Sequence, residues 1–238
     1  MGGMKGDTIE VFVEHVTREL ERDGRNVLLH PAMRQLGAGT LPIEGLRNWA
    51  RQFWHCIANS ARSFAVAHAN LPDEDLDLRR ELAANIFEED AGVVSGADNH
   101  NTLFLAFASA IGLEPDEVRG GPRGAEAAAL MGEFEVRAMG RDAALEWLAI
   151  RGVGMERANA HICAAMSSAL GEHYGLDRDA RRFFDLHAVV DEDHGDFAVR
   201  VLQRIGDTEA RRTDIEKKVL AGAELFYHIW DTALRDSA

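Results

Sequence analysis

The sequence predicts an all-α bundle of about seven to nine helices. Three observations carry this. Apolar residues recur at spacings of three and four along most of the chain, no stretch sustains strand-like alternation, and helix breakers are sparse, with only 5 prolines. The 238 residues suffice for a sizeable core, and no linker, repeat or low-complexity segment divides them, so 1–238 reads as a single domain.

Each element has its own local signal. Ile9, Phe12, Val16 and Leu20 fall on one face of a first helix over 7–20. A short helix over 25–38 ends at Gly37 and Gly39. Pro42 suits a first helical turn, and the helix it opens is expected to run to Leu71, where Leu71-Pro72-Asp73 breaks it. Residues 74–91 form the next helix, stopped by Gly92 and Gly96, and 98–112 another. The glycine- and proline-rich stretch 112–124 reads as a loop. Helices follow at 125–139, 141–151, 153–173, 178–205 and 208–236.

Composition excludes several roles. Lys plus Arg number 26 against 40 Asp plus Glu, a net charge of −14. That balance repels phosphate backbones and anionic membrane surfaces, so neither nucleic acid nor membrane is an expected partner. No apolar run approaches the roughly 18–20 residues that span a bilayer, and the opening MGGMKGDTIE carries no apolar signal region, so a cytoplasmic protein is expected. Cys56 and Cys163 form no CxxC pair.

Helix 178–205 is the most informative. Its inward stripe is Phe184, His187, Asp191, His194, Ala198, Val201 and Ile205, in steps of three and four. A buried carboxylate costs several kcal/mol unless paired or metal-bound, and two imidazoles flanking one carboxylate on a single face is a metal-ligand pattern. His187 and His194 are about 10.5 Å apart along the axis, too far for one ion but suited to two ions about 3.5–4 Å apart. Other helices supply matching interruptions of apolar stripes. Glu89 continues the face of Leu78, Leu82, Asn85 and Ile86, and His100 aligns with Leu103, Phe104, Phe107 and Ile111. Glu156 is the one large member of the stripe Ala149, Gly152, Glu156, Ala160, Cys163 and Ser167. Gly92 and Gly96 would let Glu89 and His100 converge. Glu88 and Asp90, about 100° to either side of Glu89, read as solvated helix-end acids. Three carboxylates and three imidazoles suit Fe(II), Mn(II) or Zn(II). Against this stands the reading that such groups form a buried ion-pair network, since a lone core histidine is more often hydrogen-bonded than metal-bound.

The segment NIFEEDAG (85–92) followed by Asp98-Asn99-His100, and Glu156 about 31 residues before the H-x3-D-x2-H of His187, Asp191 and His194, resemble the haem-oxygenase-like diiron oxidases. The likeness runs over roughly residues 8–236. It implies a haem-oxygenase-like bundle whose Glu89, His100, Glu156, His187, Asp191 and His194 hold two Fe(II) ions, with Mn admissible in one site and O2 as co-substrate. It implies an enzyme that oxidises an amino-acid-like or other small amine or carboxylate, by N-oxygenation or oxidative C–C or C–N cleavage, often in natural-product biosynthesis. Two departures matter. The p-aminobenzoate-forming subgroup uses its own Tyr and Lys as sacrificial groups, where this chain has Met33 and Met166, which disfavours that reaction. Members with a further Glu on the second core helix match Ala58-Asn59-Ser60-Ala61-Arg62, which has no carboxylate; His55 is a candidate replacement. A substrate carboxylate would want an arginine, and Arg62 and Arg157 lie near the expected pocket helices. The alternative is a cofactor-free or hydrolytic enzyme of the same bundle, like quinone-cofactor synthases or thiaminases, for which Cys163 would be the nucleophile; as a small packing residue it needs no such role. A third reading is a binding or scaffold protein whose acid–imidazole cluster only specifies the fold. Base rates add a homodimer.

Overall fold

The computed structural model describes residues 8–71, 73–93, 96–134 and 141–235; at 133–134, 141–142 and 190–196 it gives the backbone alone. Among the described residues there are twelve α-helices and no strand. They are α1 Ile9–Leu20, α2 Pro31–Gly37, α3 Ile43–Ile57, α4 Ser60–Asn70, α5 Leu76–Ala91, α6 His100–Ala110, α7 Pro115–Gly120, α8 Ala125–Phe134, α9 Arg141–Arg151, α10 Arg157–Tyr174, α11 Arg182–Ile205 and α12 Glu209–His228. Short 3₁₀ turns cover Val27–Leu29, Asp73–Asp75 and Ile229–Leu234. No helix among the described residues is long and apolar enough to cross a membrane.

The helical class is as expected, but several boundaries differ for tertiary reasons. The segment 25–38 is divided at His30, which precedes Pro31 and is extended (φ −61°, ψ 137°). Its imidazole closes the break: Nδ1 accepts from the Ala32 amide at 3.1 Å, capping α2, and Nε2 donates to Asp231 Oδ1 at 3.1 Å. The helix expected over 42–71 is two helices. Asn59 leaves helical geometry (φ −115°, ψ 14°), and the Ala58 carbonyl accepts from Asn101 Nδ2 of α6 at 3.2 Å. A partner distant in sequence makes that break. Pro115, at a first helical position, turns part of the expected loop into α7. The predicted gap at Gly152 is instead a π-helical turn, Gly152–Glu156, that carries α9 directly into α10. The chain over 208–236 is helical to His228 and then tightens to 3₁₀. Of 125–139, α8 is described to Phe134, and 135–140 lie outside the described residues.

Two apolar clusters flank the middle of the bundle. One is aromatic: Trp49 stacks between Phe53 and Trp230 at ring-centroid distances of 4.7 and 4.6 Å, with Phe104, Phe107, Phe183 and Phe184 around it. The other joins α1, α4, α5, α9 and α11 through Phe12, Phe64, Leu82, Trp147, Val201 and Ile205. The stripe of small residues is buried throughout, including Ala149, Ala160, Cys163 and Ser167. It lets α10 pack closely along α11. Trp54, Trp147 and Trp230 are core residues.

The His30 cap makes stability pH-dependent. Burial lowers the His30 pKa below 6.5, outweighing the Asp231 carboxylate that raises it. The neutral ring is therefore favoured by folding, and protonating Nδ1 abolishes the acceptor that caps α2. Its stabilisation is complete above about pH 6.5 and is lost as pH falls through the lower folded value. His30→Asn, which keeps a capping oxygen, should lose stability less steeply between pH 6.5 and 5 than the parent in urea denaturation; equal slopes would remove His30 as the cause.

Candidate metal centre

The inward face of α5 carries Leu78 and Leu82 and then ends on Glu89, which is buried. Gly92 stops the helix with φ +58°, and a Cβ there would lie 2.4 Å from the Ala97 carbonyl oxygen. Only glycine permits that reversal. Asn99 then locks the turn: its Oδ1 accepts from the Thr102 amide at 3.2 Å, and its Nδ2 donates to the Asp90 carbonyl at 2.9 Å. The result brings His100, the first residue of α6, back onto the end of α5. His100 Nδ1 lies 3.3 Å from Glu89 Oε2.

Glu88 corrects the sequence reading. It is buried, only 3% exposed, and not a solvated helix-end acid. The last turn of α5 packs against α6, so consecutive acids both face inward and clasp one imidazole: His100 Nε2 donates to Glu88 Oε1 at 3.5 Å. Asp90 is exposed, as expected.

From α11, His187 completes a group of three. Its Nδ1 donates to the Phe183 carbonyl at 2.8 Å, because a carbonyl can only accept. That bond leaves the lone pair on Nε2. The His100 and His187 rings stand 4.6 Å apart edge to face. One donor atom each from Glu89, His100 and His187 lies within 4.8 Å of the others. Burial pushes the Glu89 carboxyl up, but the His100 contact and the charges of His100, His187 and Arg151 outweigh it and hold it at about 2. Burial pulls His100 down, and its two carboxylates more than reverse this, so it is raised.

Glu156 enters from the π turn. Its π hydrogen bond, from the Arg157 amide to the Gly152 carbonyl, spans five residues. That widened turn aligns side chains five apart, and Arg151 Nε donates to Glu156 Oε1 at 2.6 Å. Arg151 also donates to Ser60 Oγ at 3.0 Å and lies over the Phe64 ring at 4.6 Å. Gly154 has a packing reason: a Cβ there would meet the Val219 carbonyl at 3.2 Å.

Glu89, His100, Glu156 and His187 thus line one cavity of about 50 Å³, walled on its apolar side by Phe53, Ile57, Met155, Phe183 and Phe226. Asp191 and His194 belong to α11 by backbone, and their side chains lie outside the described residues. The donor set fits a divalent metal. His100 Nδ1 is buried without a hydrogen bond although a carboxylate oxygen faces it, and a cation between the two would satisfy both. The sequence reading missed Glu88, Arg151, Ser60 and Asn101. The usable signal was Arg151, five residues ahead of Glu156 across Gly152 and Gly154. Arg62 and Arg157 are exposed and do not line this cavity, nor does His55. His161 is exposed.

A family model described as "iron-containing redox enzyme", of haem-oxygenase type, matches residues 47–230. The 4-aminobenzoate synthase of Nitrosomonas europaea is 25% identical over 203 residues, covering 80% of this chain and 78% of that protein. The 4-aminobenzoate synthase of Chlamydia pneumoniae is 22% identical over 198 residues, covering 82% of each. A TenA homologue from Pseudomonas syringae has the same fold, with a TM-score of 0.78 at 14% identity over 97% of this chain and 98% of that one.

Arg151 neutralises Glu156 in a largely enclosed site, so Arg151→Met should destabilise the metal-free protein by about 3–5 kcal/mol, the usual cost of stranding a buried charge. Anaerobic Fe(II) should recover more stability in the variant than in the parent, because a cation replaces the lost guanidinium. Chemical denaturation with and without Fe(II) measures both; a loss under about 1 kcal/mol, or no differential recovery, would show that the pair is immaterial.

Proposed function

The chain belongs to the haem-oxygenase-like family of iron-containing redox enzymes, and from that premise we propose that it is an O2-dependent non-haem diiron oxygenase or oxidase acting on a small amine or carboxylate, amino-acid-like in character. The observation that supports this best is the convergence of three buried groups, one donor atom each of Glu89, His100 and His187 lying within 4.8 Å of the others. Glu89, His100, Glu156 and His187 would hold the metals together with Asp191 and His194, four and seven positions past His187. Two Fe(II) ions, or Fe(II) with Mn(II), would supply the electrons that reduce O2. Three carboxylates offset most of the charge of two divalent ions. Glu88 fixes the His100 ring so that Nδ1 is the free donor, the Phe183 carbonyl does the same for Nε2 of His187, and Arg151 orients Glu156. Phe53, Phe183 and Phe226 form the cavity's apolar side.

The oxidised group comes from a separate molecule in this reading. The chain has two tyrosines; Tyr174 donates to the Leu41 carbonyl at 2.9 Å and Tyr227 to Asp23 at 3.4 Å, and neither lines the cavity. Met33 and Met166, where the resemblance puts a sacrificial Tyr and Lys, are buried in the aromatic cluster. Self-sacrificing formation of 4-aminobenzoate, the product in the names of two relatives, is disfavoured on these grounds. The hydrolytic reading would need Cys163, which is buried and does not line the cavity that holds Glu89, His100, Glu156 and His187; Cys56, the thiol on that cavity's wall, is pushed up to about 12 by burial, so at neutral pH it is a thiol and not the reactive thiolate.

Anaerobic titration should give about two equivalents of Fe(II) bound per chain, falling to one or fewer in His187→Ala with the helical circular dichroism kept. Stopped-flow absorbance on mixing the Fe(II) protein with O2, across a panel of amino acids and amines, should show a transient that depends on one substrate class. Absence of iron binding, or full turnover in chelator with loss on Cys163→Ala, would replace this reading with the hydrolytic one.

A further inference from the structure

The metal cavity, at about 50 Å³, has space for a few water-sized ligands. Sites for organic molecules run to roughly 300–1,000 Å³. A second chamber of about 470 Å³ is framed by the end of α1, the 3₁₀ segment Val27–Leu29, the π turn and the start of α10. Phe226 of α12 lines both spaces. The inner wall is apolar, formed by Leu20, Val27, Val153, Ile162 and Phe226.

The α10 wall carries a guanidinium and an imidazole. Arg157 and His161 are one turn apart and so share a face, and both line the chamber. Neither has a hydrogen bond or ion pair among the described residues, whereas Arg25, the third basic group lining it, is tied to Glu19 and Glu224. Glu21 is the single carboxylate on the lining.

We propose that this chamber binds a small organic monocarboxylate with an apolar body, the carboxylate on Arg157 and His161 and the apolar end toward Phe226. The assignment of that ligand as substrate rests on the oxidase reading above. A guanidinium fork with an imidazole beside it matches the plane of a carboxylate, and Glu21 opposes a second negative charge, which disfavours a phosphate dianion. The apolar wall takes the remainder of the molecule, and the shared Phe226 sets that end next to the metal cavity.

The probe is 3-phenylpropionate, with 3-phenylpropanol as its neutral counterpart, titrated calorimetrically into the full-length protein with and without Fe(II) under anaerobic conditions. The acid should bind saturably and more tightly than the alcohol. Arg157→Glu, at an exposed position that leaves folding intact by circular dichroism, should weaken the acid at least tenfold and leave the alcohol unchanged, and His161→Gln should weaken the acid several-fold. Undiminished binding of the acid to Arg157→Glu, equal binding of acid and alcohol to the parent, or no saturable binding at millimolar concentration would overturn the site. Iron stoichiometry on the same samples separates the two readings: if neither parent nor variant takes up iron, the oxidase reading falls while the calorimetry still decides the carboxylate site.

Discussion

One imidazole held between two buried carboxylates governs the centre of this fold. Glu88, Glu89 and His100 are all under a tenth exposed. Gathering such groups in a helical core costs several kcal/mol unless each finds an opposite charge or a hydrogen bond. Much of the local architecture follows from satisfying them. The Gly92 reversal and the Asn99 lock fold α6 back onto α5. Phe183 then presents a carbonyl to one nitrogen of His187 and packs its ring 4.1 Å from that imidazole. Each histidine is thereby left with one committed nitrogen and one facing the cavity.

The π turn is the second device of this kind. An α-helix through residues 151–156 would put Arg151 and Glu156 on different faces, since side chains three and four apart are the neighbours there. The inserted residue rotates the chain, couples the two across five positions and delivers the ion pair to the cavity wall. The glycines make it tolerable, because Gly154 packs against the Val219 backbone without a Cβ to displace it. A π turn is poorer than an α turn in hydrogen-bond geometry, and its usual residence at functional sites is explained here by what it positions.

The helical class and the inward placement of Glu89, His100, Glu156 and His187 were legible because both depend on a local period. A polar residue on an apolar stripe betrays itself within one helix, as Glu89, His100, Glu156 and His187 do. The failures share a cause. Glu88 lies off the stripe of its own helix and is buried by α6, a neighbour that periodicity does not register. The division between α3 and α4 depends on an amide from Asn101, 43 positions away. Arg151 looked like the end of a helix, because the spacing of five that gives it meaning exists only once the π turn has formed. Pattern along the chain reads faces; it does not read what closes over them.

In the oxidase reading the two cavities would divide the work between them. The smaller cavity is firmly walled: Phe53 stacks on Trp49, which stacks in turn on Trp230, and Phe183 meets Phe104 edge to face at 5.2 Å. Such a wall resists the expansion needed to admit an organic molecule whole. Specificity needs the reverse, a larger chamber with charged groups at its rim, and that is where Arg157 and His161 stand. Phe226 is common to both linings, so a molecule lying in the larger chamber would set its apolar end against a ring that also walls the smaller cavity.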